Sequence, residues 1–266
     1  MKQRVLITGA AGGLGTAVMA QLTAAGADVL GLDIRDVGRA DVRVCDVRDA
    51  AAVKEAVDWA VQRLGGLDIL INNAGVLSLQ DATATPNQDV RDAFETNLLG
   101  AWNVAAAATS PLMKSNGRII NIASLFAVVN APFIPAYCAS KRGLCALSDI
   151  MRMQFGDQIG VTTLYPGFVD TPIHEAAVRQ GLSVKEVVTI KLGGKTLLSL
   201  EEPVDRAARG VVKACSGRVR RDSGVTAMGS LSLMAARHAP RVVDWFVRWR
   251  LRSLTKQGMN VQLEST

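Results

Sequence analysis

The sequence predicts an α/β protein of one domain built around a parallel sheet, and three observations carry this expectation. Short apolar runs, among them Val5-Leu6-Ile7, Val29-Leu30-Gly31-Leu32 and Ile69-Leu70-Ile71, alternate with stretches whose apolar positions recur every three or four residues. Such alternation implies parallel strands with right-handed crossovers and ligands at the strands' C-terminal ends. The first run breaks into Gly9-Ala10-Ala11-Gly12-Gly13-Leu14-Gly15 before helical spacing resumes. Finally, 266 residues, 49% hydrophobic and 20% charged, suffice for one large core and are too few for two comfortable domains.

The glycine cluster is a strand, a tight turn and a helix start. Glycines let the backbone turn sharply and let a phosphate approach the amides of the helix N-terminus, where unpaired N–H groups and the dipole favour an anion. An ATPase-type phosphate loop needs Gly-Lys-Ser/Thr, but Gly15 is followed by Thr16, so nucleotide hydrolysis is disfavoured. The strict G-x-G-x-x-G fingerprint is also absent, because Val18 takes the third glycine's place. A Gly/Ala-rich turn also serves as a plain strand–helix connection.

Residues 28–33 read as a second strand ending in Asp33, 18 residues beyond Gly15. A carboxylate there accepts hydrogen bonds from an adenosine ribose and repels a 2′-phosphate, which favours NAD over NADP; nearby Arg35 opposes that preference. Residues 42–47 form a third short strand, and Asp49 caps a helix with apolar positions Val53, Ala56, Val57, Ala60, Val61 and Leu64. Residues 68–71 make the fourth strand, which runs into Asn72-Asn73-Ala74-Gly75, where small residues permit close approach of a ligand. A long helical stretch over 87–113 is uncharged after Glu95 and alanine-rich at 105–108, a surface suited to a partner subunit. Inside it Asn97 is polar among apolar neighbours, the usual mark of a local hydrogen-bond staple. A fifth strand over 118–123 delivers Ser124 to the edge that carries the glycine turn.

Tyr137-Cys138-Ala139-Ser140-Lys141 opens a helix, and a spacing of four puts phenol and ammonium on one face. A cation near a phenol stabilises the phenolate and lowers its pKa toward working pH, as a proton-transfer catalyst requires. Phe126, Val128, Val129, Phe133 and Ile134 before it suggest an apolar pocket or, equally, core. Residues 174–200, expected to cover the substrate, carry no interpretable signature.

Together these residues resemble the short-chain dehydrogenase/reductase family over roughly residues 3–215. The family's order and spacing are matched by Thr8-Gly9-x-x-x-Gly13-x-Gly15, Asn72-Asn73-Ala74-Gly75, Asn97, Ser124, Tyr137-x-x-x-Lys141 and Pro166-Gly167. The resemblance implies a single Rossmann-type doubly wound parallel sheet of about seven strands flanked by helices. It implies NAD(P)-dependent interconversion of a secondary alcohol and a ketone or aldehyde, with a catalytic tetrad Asn97, Ser124, Tyr137 and Lys141. In that mechanism Tyr137 is general acid/base, Ser124 holds the substrate oxygen, Lys141 lowers the tyrosine pKa and binds the nicotinamide ribose, and Asn97 helps hold a relay water. Cofactor contacts carried over the same way are Gly9, Gly13, Leu14, Gly15, Asp33, Asp46 and Val47 near phosphates, ribose and adenine. Asn73, Ala74 and Gly75 lie along the cofactor, and Pro166, Gly167, Val169 and Thr171 beside the nicotinamide. The competing reading is a catalytically inactive NAD-binding sensor, against which the intact tetrad speaks, since binding alone needs neither Ser124 nor Tyr137.

Two departures matter. Ala127 stands where many relatives have glycine, and the family's terminal strand ending in a Gly-Gly pair is not evident after Gly217; residues 229–256 look helical instead. A tetramer built on that edge is therefore in doubt, and a homodimer through the alanine-rich helix and the Tyr137 helix is preferred. The chain divides into a catalytic domain, 1–228, and a C-terminal helical extension, 229–266.

The net charge of +6 resides in the tail, since residues 218–266 hold nine basic and three acidic side chains. Along 237–256, Val242, Val243, Trp245, Phe246 and Trp249 face one way, while Arg241, Asp244, Arg248 and Arg252 recur on the other side. That pattern fits peripheral membrane contact, or a helix packed on its own domain or a partner subunit and shielding a hydrophobic substrate. No nucleic-acid motif is present. The four cysteines show no C-x-x-C pair and His174 and His238 no ligand spacing, so reduced thiols and no metal are expected. The start, Met1-Lys2-Gln3-Arg4 and a short apolar run, is no secretory signal, and the uncharged residues 119–140 are interrupted by Asn121, Asn130, Pro132 and Pro135, so a cytoplasmic protein without a membrane span is expected.

Overall fold

The protein is described here by a computed structural model, in which residues 2–169, 171, 173, 189–192, 195–199 and 201–256 are described. Strands β1 (Arg4–Thr8), β2 (Asp28–Asp33), β3 (Val42–Val44), β4 (Ile69–Asn72), β5 (Arg118–Ile122) and β6 (Gly160–Tyr165) belong to one sheet. With β11 (Asp222–Gly224) they make seven strands in the order β11-β6-β5-β4-β1-β2-β3, every pair parallel. This is the doubly wound sheet the sequence predicts.

Helices cover both faces. Along β1, Leu6 points to one layer, where α2 (Ala50–Leu64), α4 (Ala101–Lys114) and α5 (Pro135–Phe155) pack. Val5 and Ile7 point to the other, against α1 (Gly13–Ala24) and α6 (Val204–Ser216). The same division separates Leu70 from Ile69 and Ile71, and Ile119 from Ile120 and Ile122. A strand buried on both sides has no polar face, which is why these segments read as unbroken apolar runs.

Local signals act where the sequence places them. The Asp49 side chain accepts from the N–H groups of Ala51 and Ala52 at the start of α2, and Asn87 accepts from Val90 at the start of α3 (Gln88–Phe94). The stretch over 87–113 is continuous but not uniformly α-helical, because Glu95–Gly100 winds as a π-helical turn between α3 and α4. A buried polar chain crosses the core: Asn72 Nδ2 donates to Asn121 Oδ1 at 2.9 Å, and Asn121 Nδ2 donates to Ser148 Oγ at 2.8 Å. These bonds, with that of Asn72 Nδ2 to Ala101 O at 3.1 Å, make the chain tolerable in an apolar interior, although Asn72 Oδ1 has no partner among the described residues.

The C-terminal part holds what the sequence does not show. A terminal strand, not evident in the sequence after Gly217, is present: Asp222–Gly224 forms the seventh strand, ending in a single glycine and not in a Gly-Gly pair. It is short, polar and at the sheet edge, so it has no apolar pattern to read. Two further short strands, β7 (Phe168–Val169) and β10 (Glu201–Glu202), pair in parallel, with the antiparallel hairpin β8 (Thr189–Leu192) and β9 (Lys195–Ser199) between them in sequence. Most of the stretch expected to cover the substrate, residues 174–188, lies outside the described residues.

Helix α7 (Ala227–His238) buries Leu233 and Ala236, and α8 (Pro240–Lys256) follows it. Among the described residues no helix is long and apolar enough to cross a membrane. A polar cluster fastens α7 to the sheet: Asp222 accepts from Tyr165 Oη at 3.2 Å and from Arg237 Nη2 at 2.9 Å, with Arg152 within 3.7 Å. Replacing Asp222 by alanine leaves these partners partly unmatched in a largely buried place. Urea unfolding of Asp222→Ala should show a loss of about 2 kcal/mol; a change under about 0.5 kcal/mol would mean that Leu233 and its apolar neighbours hold α7 alone.

Candidate active site

The glycine turn is built by close backbone approach. Gly9 has φ +65°, and a Cβ on it would lie 2.9 Å from both Ala74 Cα and Asn73 Nδ2. A Cβ on Gly15 would lie 2.1 Å from the Gly9 carbonyl oxygen. Position 9 therefore requires glycine for conformation and position 15 for space. Thr8 Oγ1 accepts from the N–H groups of Asn73 and Ala74, both at 3.0 Å, and Asn73 Nδ2 donates to the carbonyls of Thr8 and Gly9. No side chain caps α1, so the first-turn N–H groups beside Gly12 have no side-chain acceptor.

Between these two strand ends opens a cleft of about 580 Å³. Of the residues predicted to hold a cofactor, Gly9, Gly13, Leu14, Gly15, Asp33, Asp46, Val47, Asn73, Ala74, Gly75 and Thr171 line it. Asp33 is 6% exposed and accepts from Ala11 N–H at 2.9 Å and from Arg35 N–H and Nε at 3.0 and 3.2 Å. It thus ties the end of β2 to the glycine turn while engaging the one cation that the sequence set against it. Asp46 is gripped by Arg48, which lowers its pKa, and Arg48 also reaches Asp92 at 3.1 Å.

Behind Gly75 lie the other predicted residues. Asn97 is fully buried in the π-helical turn; its Oδ1 accepts from Val76 N–H at 2.8 Å, and Nδ2 donates to Val76 O and to Ser140 Oγ. It staples three segments, as its place among apolar neighbours suggested. A Cβ on Gly75 would lie 3.2 Å from both Asn97 Oδ1 and Lys141 Nζ, so these groups stand directly behind this glycine of the cleft wall. Lys141 donates to Ile122 O at 2.9 Å, and its Nζ is 5.9 Å from the centre of the Tyr137 ring. The Ser124 hydroxyl stands on the phenol side of Tyr137, near enough to favour its phenolate, and Phe126 meets the Tyr137 ring edge-on at 6.4 Å.

The electrostatics correct one expectation. Lys141 was expected to lower the tyrosine pKa, but burial pushes Tyr137 up to about 12, against the effect of the Ser124 hydroxyl, and pushes Lys141 down to about 8. Both groups are almost wholly desolvated, and the hydrogen bond found for the ammonium goes to a backbone carbonyl, with the phenol ring centre 5.9 Å away. In the ligand-free protein, burial outweighs the attraction of cation for phenolate.

Tyr137, Lys141, Asn97, Ser124, Pro166, Gly167 and Val169 do not line the cleft itself. Pro166 accepts from Leu125 N–H, which joins the loop after β6 to the segment after Ser124, and Thr171 Oγ1 donates to Val169 O. Glu202 was missed. It is buried, it accepts a hydrogen bond from Thr226, and its Oε2 has no partner among the described residues; burial raises its pKa. In sequence it is one of two acids before a proline at a helix start, which looks like an ordinary N-terminal acid. Arg48 and Asp92 were missed as well, because their contact spans 44 residues.

A parallel sheet with a glycine-lined cleft at its C-terminal edge defines a nucleotide-binding α/β enzyme. The model of the family described as short chain dehydrogenase matches residues 3–181, and the chain belongs to that family of oxidoreductases, which use a nicotinamide cofactor. A 3-oxoacyl-(acyl-carrier-protein) reductase of Thermotoga maritima is 31% identical over 185 residues, 64% of this chain and 75% of that protein. A D-threitol dehydrogenase of Mycolicibacterium smegmatis is 32% identical over 187 residues, 65% of this chain and 72% of that protein. The crystal structure of a short chain dehydrogenase from Mycobacterium paratuberculosis bound to NAD superposes with a TM-score of 0.72 at 26% identity, covering 88% of this chain and 98% of that one.

The depressed Lys141 sets a pH dependence. Below about pH 8 the folded protein carries a buried ammonium. Between that value and the ordinary 10.5 the unfolded chain binds the extra proton, so this group's contribution to stability rises with pH. Lys141→Met should therefore stabilise the ligand-free protein by about 1–3 kcal/mol at pH 7, with the gain fading as pH approaches the ordinary lysine value. Thermal unfolding across pH measures this, and a gain that does not shrink with pH would contradict it.

Proposed function

We propose that this enzyme interconverts a secondary alcohol and a ketone or aldehyde on a hydrophobic substrate, with NAD preferred over NADP and Tyr137 as the proton-transferring group. The observation that carries the reading is the buried Tyr137 with Ser124 near its phenol and Lys141 5.9 Å from its ring centre, Lys141 standing behind Gly75 at the wall of the glycine-lined cleft. A sensor that only bound NAD would need neither hydroxyl.

The cleft fits a dinucleotide by the absence of side-chain bulk at Gly9, Gly15 and Gly75 and by the uncapped N-terminus of α1. In this reading Gly13, Leu14 and Gly15 receive the phosphates, Asp33 an adenosine ribose, and Asp46 and Val47 the adenine. Asn73, Ala74 and Gly75 hold the middle, and Pro166, Gly167, Val169 and Thr171 the nicotinamide end. The nicotinamide supplies the hydride acceptor or donor.

The chain's residues move the proton. Ser124 donates a hydrogen bond to the substrate oxygen and fixes it beside Tyr137. Burial keeps Tyr137 protonated, which suits it to give its proton to the oxygen that acquires charge on reduction. Oxidation of an alcohol needs the opposite transfer, which the Lys141 cation assists once the phenolate forms. Leu77, Leu79, Phe126, Phe133, Ile134 and Phe168 cluster with Tyr137, which supports an apolar substrate; Val128 packs instead with Tyr165 and Leu233.

Asp33 supports NAD, since its carboxylate borders the cleft and the charge of Arg35 is already engaged by it. A homodimer fits the outer surfaces of α4 and α5, where Trp102, Met113, Ile150 and Met153 are exposed, whereas Ala105 and Ala108 of the alanine-rich segment are spent inside the core.

Two measurements test the reading. Tyr137→Phe should lower kcat roughly a thousandfold while NAD affinity, read by calorimetry, stays within a factor of about two; comparable turnover would refute the assignment of Tyr137. For cofactor choice, wild type should favour NAD in kcat/KM by roughly tenfold or more, and Asp33→Ala should erase that preference. A wild-type preference for NADP would show that Arg35 prevails over Asp33.

A further inference from the structure

The chain's last described helix is attached by one side only. On α8, Val243, Asp244, Phe246 and Val247 are half-buried, whereas Val242, Trp245 and Trp249 are 63%, 65% and 46% exposed. The indoles of Trp245 and Trp249 stack with centres 6.4 Å apart and planes 13° apart, forming an apolar plate turned to solvent. On α7, Met228, Leu231 and Met234 are exposed at three-residue spacing. Arg241 and Arg248, seven residues apart and both exposed, fall on nearly the same line along α8, beside the tryptophan stripe. The basic excess of the chain lies in this same region, residues 218–266.

We propose that this face of α8 rests on an anionic lipid surface. Tryptophan rings settle at the level of lipid headgroups, and arginine stems lie along apolar surface while their guanidinium groups reach phosphate. An anionic membrane satisfies both stripes at once. A second copy of the chain does not, because a two-fold contact through this face would set the Arg241–Arg248 row against itself. Asp244, the one acid on the described part of α8, is half-buried and poorly placed to relieve that repulsion. This surface is independent of the roles given to Tyr137 and Lys141.

The test is co-sedimentation of the full chain with phosphatidylcholine vesicles, with and without phosphatidylglycerol. Pelleting with phosphatidylglycerol vesicles at low salt, weakened by added salt and accompanied by a blue shift of tryptophan emission, is expected. The double variant Trp245→Ala/Trp249→Ala should lower the bound fraction roughly tenfold or more, with circular dichroism and oligomeric mass unchanged. The proposal is overturned if the full chain ignores phosphatidylglycerol vesicles at low salt. It is equally overturned if the tryptophan variant binds as wild type, or if that variant has a lower oligomeric mass, which would give the face to a second copy. Should the tryptophan variant unfold, Arg241→Gln/Arg248→Gln decides, because full retention of binding to phosphatidylglycerol vesicles would also overturn it.

Discussion

The site depends on how closely the ends of β1 and β4 approach each other. Thr8 Oγ1 takes the N–H groups of Asn73 and Ala74, and Asn73 returns its amide to the carbonyls of Thr8 and Gly9. This clamp closes only because position 9 has no Cβ. From the clamped ends the chain departs to opposite faces of the sheet: after β1 into α1 on one layer, after β4 toward α4 on the other. Divergence of two neighbouring connections opens a crevice at that point, and ligands of doubly wound sheets bind there. Asp33 extends the same construction to β2, since it holds Ala11 of the turn.

A second constraint is desolvation around Tyr137 and Lys141. Both side chains are nearly inaccessible, and burial drives each toward its neutral form, one upward and one downward in pKa. The protein carries this cost in a place where the surrounding framework is over-determined. Asn97 staples the π-helical turn to Val76 and Ser140, and Ile122 O fixes the Lys141 ammonium. Departures from regular helix and buried titratable groups that the core would be more stable without are the pattern expected of a functional site.

Much of this was legible in the sequence, and the reason lies in burial. Val5, Ile7, Ile69 and Ile71 sit in strands covered on both faces, so hydrophobic runs marked every central strand, and Asp49 marked a helix start through cap chemistry that acts within three residues. The glycine turn and the Tyr137–Lys141 spacing were likewise visible because local geometry demands those residue types. The edge strand Asp222–Gly224 was not, since it has no buried apolar residue to announce it. Glu202, and the Arg48–Asp92 pair, became relevant only through contacts between distant segments. The direction of the Tyr137 shift differs from the expectation because four-residue spacing tells that two groups are neighbours, but not that the fold desolvates both of them.

The central claim is that the close approach at Gly9 makes the nucleotide site. Calorimetric titration of NAD into wild type and Gly9→Val tests it most directly, because the substitution fills the contact with Ala74 and is strained at φ +65°. The account predicts binding by wild type and a loss of roughly a hundredfold in the variant, with far-ultraviolet circular dichroism preserved. Equal affinity in a folded variant would place the nucleotide elsewhere and contradict the account.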